Sequence, residues 1–415
     1  MATWDLSAQH SSRRSSGTVQ FAPMSAIGHF AATSSAILPL VMGNDGASTA
    51  LQRLAEAGVL PATLPAEMTA QRAGVYPSQL SEYFRGALIG TAIGDALGRP
   101  AEGRSSTDLR QRYGRLQDFK PWAGWQAGPK GTVTDDTQLT VCVAECLVSH
   151  NGQLDPEDLA RRFVAWLPVG RGKGSTCAEA VDALTRGVPW YEAGVRSAGN
   201  GAAMRAAPVG LAHLEDVNRL RQDAALSAFV THVHPMAIVS AVAHAWLVAR
   251  LARTPPGTLD RDGLVGELCT AISDLHDPGE VERDWQSRRE KTGDRVRLRE
   301  RLAEVPNWLR ASPQEASEWF YSGAFVLESL PMALWHFLRS SDDPEEAVVG
   351  AVMGGHDADT VASMTGAYLG AYLGEEAFPA RWRGEELEFA DELRGLADQL
   401  LALSQPDRLS PDAWA

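Results

Sequence analysis

Two short stretches carry the residue types most able to do chemistry. The first, TVTDDTQLTVC, sets Asp135 and Asp136 side by side after Thr134; the second, GGHDADT, holds Asp357, Asp359 and Thr360. Taken singly, each has a structural explanation. Thr134 suits a helix N-cap, and carboxylates in a first turn are favoured by the helix dipole. Taken together, the two stretches supply carboxylate and hydroxyl oxygens of the kind that bind Mg²⁺ or Mn²⁺ rather than zinc. Residues two apart on one helix point to nearly opposite sides, so Asp357 and Asp359 converge only if Asp357 lies in the turn before the helix. Gly354 and Gly355 permit such a turn. Four carboxylates gathered in one pocket repel one another unless divalent ions neutralise them.

Other residues allow both a structural and a functional reading. RGKGST, with Gly172, Gly174 and Ser175, is either a turn or a set of backbone N–H groups facing a diphosphate at a helix start. It is not a P-loop, because the spacing G-x-x-x-x-G-K-[ST] is missing. RSAGNGAAMR, with Ser197, Gly199, Asn200 and Gly201, is a second such stretch. His232 and His234 of THVHP are either hydrogen-bonded core histidines or ligand contacts. Glu102 beside Gly103 is a surface residue or a working carboxylate, and Asp95 is expected to cap or pair within the fold.

The elements that must hold these residues are helices. From Ser81 onward apolar and small residues recur at three- and four-residue spacings, first in SEYFRGALIGTAIGDALGRPAEG. Similar runs cover 137–148, 177–186, 224–252, 263–275, 322–338, 345–353 and 360–374, and alternating strand patterns are almost absent. The abundance of Gly and Ala predicts closely packed helices in an all-α fold. Residues 1–80, rich in Ser, Ala and Thr, read as an N-terminal extension, either a flexible tail or a partner-binding arm. Residues 81–405 read as the main domain, with a polar insertion over 276–314 expected to be a solvated helix or surface excursion, and 406–415 as a tail.

The net charge of −14 argues against a nucleic-acid surface, although bound cations can reverse the potential of an acidic pocket. Cys142 and Cys146 share a helix face, yet no second Cys/His pair completes a zinc pattern, which predicts reduced thiols. The apolar stretch 26–43 is broken by His29 and Pro39, so it makes a poor membrane span. Arg13 and Arg14 before it form an unconvincing export signal, and the expectation is a cytoplasmic protein without a membrane segment.

Five blocks, FRGALIGTAIGDALGRPAEG, TVTDDTQLT, GNGAAMRAAPVGL, THVHP and GGHDADTVASMTGAYLGA, resemble in order and spacing the ADP-ribosylglycohydrolase family, which includes the dinitrogenase reductase-activating glycohydrolase. The resemblance spans roughly residues 83–375. It implies a compact multi-helix orthogonal bundle with a binuclear Mg²⁺ or Mn²⁺ site, hydrolysing the bond between ADP-ribose and an acceptor. Carried onto this chain, it makes Thr134, Asp135, Asp136, Asp357, Asp359 and Thr360 metal ligands. Glu102 matches a glutamate over the metals, and it, Asp135 or Asp357 would assist proton transfer. Gly172, Gly174, Ser175, Ser197, Gly199, Asn200, Gly201 and His232 match substrate-cradling positions. His356 departs from the pattern, standing where the family commonly has glycine, and is expected to reach phosphate or water or to turn into the protein. An ADP-ribosylated protein, arginine-linked first and serine-linked second, is the implied partner, with a non-protein ADP-ribosylated acceptor left open. The alternative is an immunity-type protein that blocks an ADP-ribosyltransferase toxin through residues 1–80.

Overall fold

Glycine at every fourth position, Gly86, Gly90, Gly94 and Gly98, gives the first long helix a bare stripe along one face. In the computed structural model, which describes Leu54, Gly58 and residues 77–122, 127–284 and 289–404, that stripe decides the architecture. Helix α1 (Pro77–Gly98) begins on proline, whose missing N–H costs nothing in a first turn. It is followed by α2 (Ser106–Tyr113), α3 (Asp135–Ser149), α4 (Pro156–Trp166), α5 (Ser175–Thr185) and the single turn α6 (Trp190–Ala193). Then come α7 (Ala207–Ala212), α8 (Val217–Phe229), α9 (Pro235–Leu251) and α10 (Arg261–Ala271). After strands β1 (Glu280–Asp284) and β2 (Arg289–Val296), the chain continues through α11 (Leu298–Ala303), α12 (Pro313–Phe320), α13 (Val326–Arg339), α14 (Pro344–Gly354), α15 (Ala358–Leu373) and α16 (Ala390–Ser404).

The core sits around α9 and α15, which are buried on nearly every side, as all-round apolar helices must be. Helix α15 packs against α1, α9, α13 and α14. Along the antiparallel α1–α15 seam, an added Cβ at Gly86, Gly90 or Gly94 would strike the carbonyl oxygens of Gly370, Gly366 and Ala362. At the far end, a Cβ at Gly98 would strike Asp359. The glycine stripe therefore brings backbone against backbone and lays the end of α1 beside the start of α15.

Two expectations are corrected. The centre of the segment 276–314 is not the solvated helix that was one of its two expected forms: β1 and β2 pair antiparallel, Glu280 opposite Val296, before α11 and α12. The run 224–252 is two helices, because His234 caps α9, its Nδ1 accepting from Met236 N at 3.2 Å, and Pro235 starts a new first turn. All four cysteines are free thiols. Most of the N-terminal extension, the stretch 26–43 and the tail 406–415 lie outside the described residues. Within the extension, Leu54 is buried and Gly58 O accepts from His276 N at 2.7 Å. No described helix is long and apolar enough to cross a membrane.

Candidate active site

Asp95, near the end of α1, is fully buried and takes four donors from the start of α3. Thr134 N and Oγ1 donate to it at 2.9 and 2.8 Å, and Thr137 N and Oγ1 at 3.1 and 2.6 Å. Thr134 occupies the N-cap position, but its own hydroxyl caps nothing. Asp95 performs the cap from the neighbouring helix, accepting the third-residue N–H that an N-cap side chain ordinarily takes. The arrangement leaves Asp135 and Asp136 in the first turn with their carboxylates uncommitted to capping.

The start of α15 is aimed by its backbone instead. Gly355 and His356 both have positive φ, +74° and +59°. His356 N donates to Arg104 O and Gly103 N to His356 O, both at 2.7 Å, while Asp357 N donates to Ser322 O at 2.8 Å. Asp357 thus stands just before the helix and Asp359 in its first turn. The two helix starts meet at one side chain: Thr360 Oγ1 lies 3.3 Å and Thr134 Oγ1 3.2 Å from Asp136 Oδ2. Asp136 Oδ1 is buried with no hydrogen-bond partner.

One carboxylate oxygen from each of Asp95, Asp136 and Asp359 lies within 4.8 Å of the others, so the acids of both helix starts gather at one point, with Asp95 itself spent on capping α3. Burial, then mutual repulsion, pushes Asp136 and Asp359 well above the ordinary carboxylate range. Burial also raises Asp135 well above that range, and it raises Asp357 to about 6 although Asn200 opposes it. The donor set is all oxygen, carries an orphaned buried atom and is short of positive charge, which fits a hard divalent cation. Arg99 is a nearby cation: it pairs with Glu102, its Nη1 lies 4.0 Å from Asp359 Oδ2, and its guanidinium lies 4.0 Å over Trp122. Glu102 keeps a side chain about one-third exposed at the mouth of this group.

The two glycine-rich stretches border the acids. Gly172 has φ +67°, and a Cβ there would come within 3.0 Å of Thr134 Cβ, so only glycine lets this loop lie on the α3 start. Gly174 N donates to Asp135 Oδ2 at 3.1 Å; Ser175 is exposed at the beginning of α5. Across the site, Asn200 Nδ2 donates to Asp357 Oδ2 at 2.5 Å, and Ser197 Oγ accepts from Gly199 N at 3.2 Å and Thr176 Oγ1 at 3.0 Å. Gly201 lies over His232, a Cβ there coming within 3.0 Å of the ring. Burial and Arg205 push His232 down to about 3, so it is a neutral imidazole, with Thr231 Oγ1 at 2.8 Å from Nδ1.

The ring of His356 lies against Tyr321, centroids 4.4 Å apart and planes tilted by 35°, and bonds to the Tyr321 hydroxyl rather than to any of these acids. His234 is remote from them, pairing with Glu280 at 2.9 Å. Sequence reading missed three supports. Arg99, itself resting on Trp122, holds Glu102, and buried Arg205 ties the second loop to α8 by donating to Gly201 O and Ser227 O, both at 2.8 Å. An arginine directly after a glycine-striped helix was the available signal for the first; Arg205 had none.

The model of a family described as ADP-ribosylglycohydrolase matches residues 77–409. A protein of Archaeoglobus fulgidus described only as uncharacterized is 33% identical over 322 residues, covering 76% of this chain and 95% of its own. The ADP-ribosylhydrolase ARH3 of Gallus gallus is 28% identical, covering 76% and 92%. The ADP-ribosyl-[dinitrogen reductase] glycohydrolase of Rhodospirillum rubrum is 27% identical, covering 78% and 96%. Among solved structures, an ADP-ribosylglycohydrolase-related protein complex matches with TM-score 0.61 and 29% identity, over 79% of this chain and 99% of that one.

Proposed function

The chain belongs to the ADP-ribosylglycohydrolase family, enzymes that hydrolyse ADP-ribose linkages, and from that premise we propose that it frees arginine side chains of a modified protein from ADP-ribose. The observation that carries the reading is the meeting of both acidic helix starts at Asp136, with Thr134 and Thr360 hydroxyls on the same oxygen. Thr134, Asp135, Asp136, Asp357, Asp359 and Thr360 are the ligands of two divalent cations, Mg²⁺ or Mn²⁺. Bound there, the ions supply charge neutralisation and Lewis-acid polarisation.

The rest is done by the chain. The side chains of Ser175 on one side, and of Ser197 and Asn200 on the other, offer donors to the diphosphate and ribose hydroxyls, on loops shaped by Gly172, Gly174, Gly199 and Gly201, whose Gly174 and Gly199 N–H groups are spent within the protein. Neutral His232 supports the second loop from below. Asn200 fixes Asp357 and Gly174 fixes Asp135, so each carboxylate is oriented before substrate arrives. Water adds to C1 of the ribose as the C1–N bond breaks. Glu102, about one-third exposed and held by Arg99, takes a proton from that water and passes it to the leaving guanidino nitrogen.

Release of ADP-ribose from arginine-linked and serine-linked substrates, each with and without Mg²⁺ or Mn²⁺, tests this. The expected result is arginine-linked turnover that a chelator abolishes. Preference for the serine linkage overturns the acceptor assignment, and undiminished turnover in chelator overturns the metal assignment.

A further inference from the structure

Beside the acidic centre lies a second concavity, of about 520 Å³, bounded by α2, α12 and α14 with α13 beneath. Its floor includes Met332, Met353 and His336, and its walls include Thr107, Ser317 and the Tyr321–His356 pair. His336 is 3% exposed, and its Nε2 has no hydrogen-bond partner. A buried imidazole nitrogen left unpaired is costly, and such groups point to a missing partner.

The wall is strained where it meets the acids. Tyr321 ends α12 at φ +65°, ψ 162°, a region occupied almost only by glycine. His356, at φ +59°, lies against it and accepts or donates through Nδ1 to the Tyr321 hydroxyl at 3.0 Å. Two bulky residues are thus held together in conformations each disfavours, at the edge of one cavity. Asp357 links this wall to the acidic centre: its carboxylate is held by Asn200 of the cradling loop, while its chain neighbour His356 lines the concavity.

We propose that this groove receives the polypeptide segment bearing the ADP-ribosylated side chain, with His356 and Tyr321 as the wall that reads it. The inference rests on the hydrolase reading above. ADP-ribose lies on the loop side of Asp357 and the acceptor leaves on the groove side. A polypeptide fits the chemistry of the lining better than a nucleic acid. The lining's Arg110 and Arg115 are matched in number by Glu318 and Glu346, with Arg115 tied to Glu346 at 2.7 Å, and the chain as a whole carries −14, so the groove is not the basic surface a phosphate backbone needs. Hydroxyls suit peptide amides, and methionines suit a varied apolar side chain.

Thr107→Trp and Ser317→Trp fill the groove from two different helices, both at accessible positions. The full chain carrying either is assayed on an arginine-ADP-ribosylated protein and on free ADP-ribosyl-arginine, with ADP-ribose affinity measured by calorimetry and folding by thermal melt. The expected result is a KM for the modified protein raised about tenfold or more, with free ADP-ribosyl-arginine turnover and ADP-ribose affinity unchanged. Equal losses on both substrates, or no loss on the protein, overturn the proposal. Loss confined to an ADP-ribosylated oligonucleotide overturns it in favour of a nucleic-acid acceptor. A wild-type chain that binds ADP-ribose but turns over neither substrate overturns the hydrolase reading itself, and the groove assignment falls with it.

Discussion

The two acidic helix starts solve one problem by different means. At α3 the backbone is ordinary, with Thr134 at φ −114°, and the aim is set by side chains: Asp95 gathers two N–H groups and two hydroxyls. At α15 the aim is set by backbone: Gly355 and His356 sit at positive φ and are tied to Arg104, Ser322 and Gly103. The first half is a hydrogen-bond network whose removal leaves buried donors unpaired. The second is a strained turn whose geometry survives side-chain loss. A side-chain network tolerates little substitution, whereas a backbone turn tolerates any residue that accepts its φ.

The largest effect is expected where the halves meet. Asp136→Asn should lower turnover about a thousandfold, or about 4 kcal/mol of transition-state stabilisation. The metal-free fold should be nearly unaffected, because burial already favours the protonated carboxyl that Asn resembles. Steady-state kinetics and thermal melting in chelator read the two quantities. A variant with near-normal turnover would detach Asp136 from the chemistry.

Next in size is the network. Asp95→Ala strands four buried donors and should cost about 3 kcal/mol of stability, measured by urea unfolding. A loss below about 1 kcal/mol would mean that α3 is held by packing rather than by its cap.

The smallest effect separates strain from contact at the other half. His356→Ala loses the Tyr321 contact but keeps the positive φ, whereas His356→Gly loses the contact and relieves the strain. The glycine variant should be the more stable by about 1 kcal/mol in the same unfolding assay. Equal stabilities would show that His356 holds no strain.

Much of this was legible in the sequence, and what was not has a common cause. The helical periods, the glycine stripe of α1 and the acid–threonine pairs are local patterns, set by residue type and spacing, and they suffice for an all-α chain of this family. The hairpin escaped because strands of mixed charge carry no apolar alternation, and their pairing is made by backbone groups common to every sequence. The break at His234 escaped because a proline at a first turn is as compatible with a run of helix as with a new beginning.

Only tertiary structure decided what the acids do together. That Asp95 caps α3 in place of Thr134, that Arg99 rests on Trp122 beside Asp359, and that Thr360 reaches Asp136 depend on helices distant in the chain. Residue types and spacing determine which elements form and which face each residue takes. Which faces then meet is decided by packing, here by a glycine seam narrow enough to bring the end of α1 against the first turn of α15.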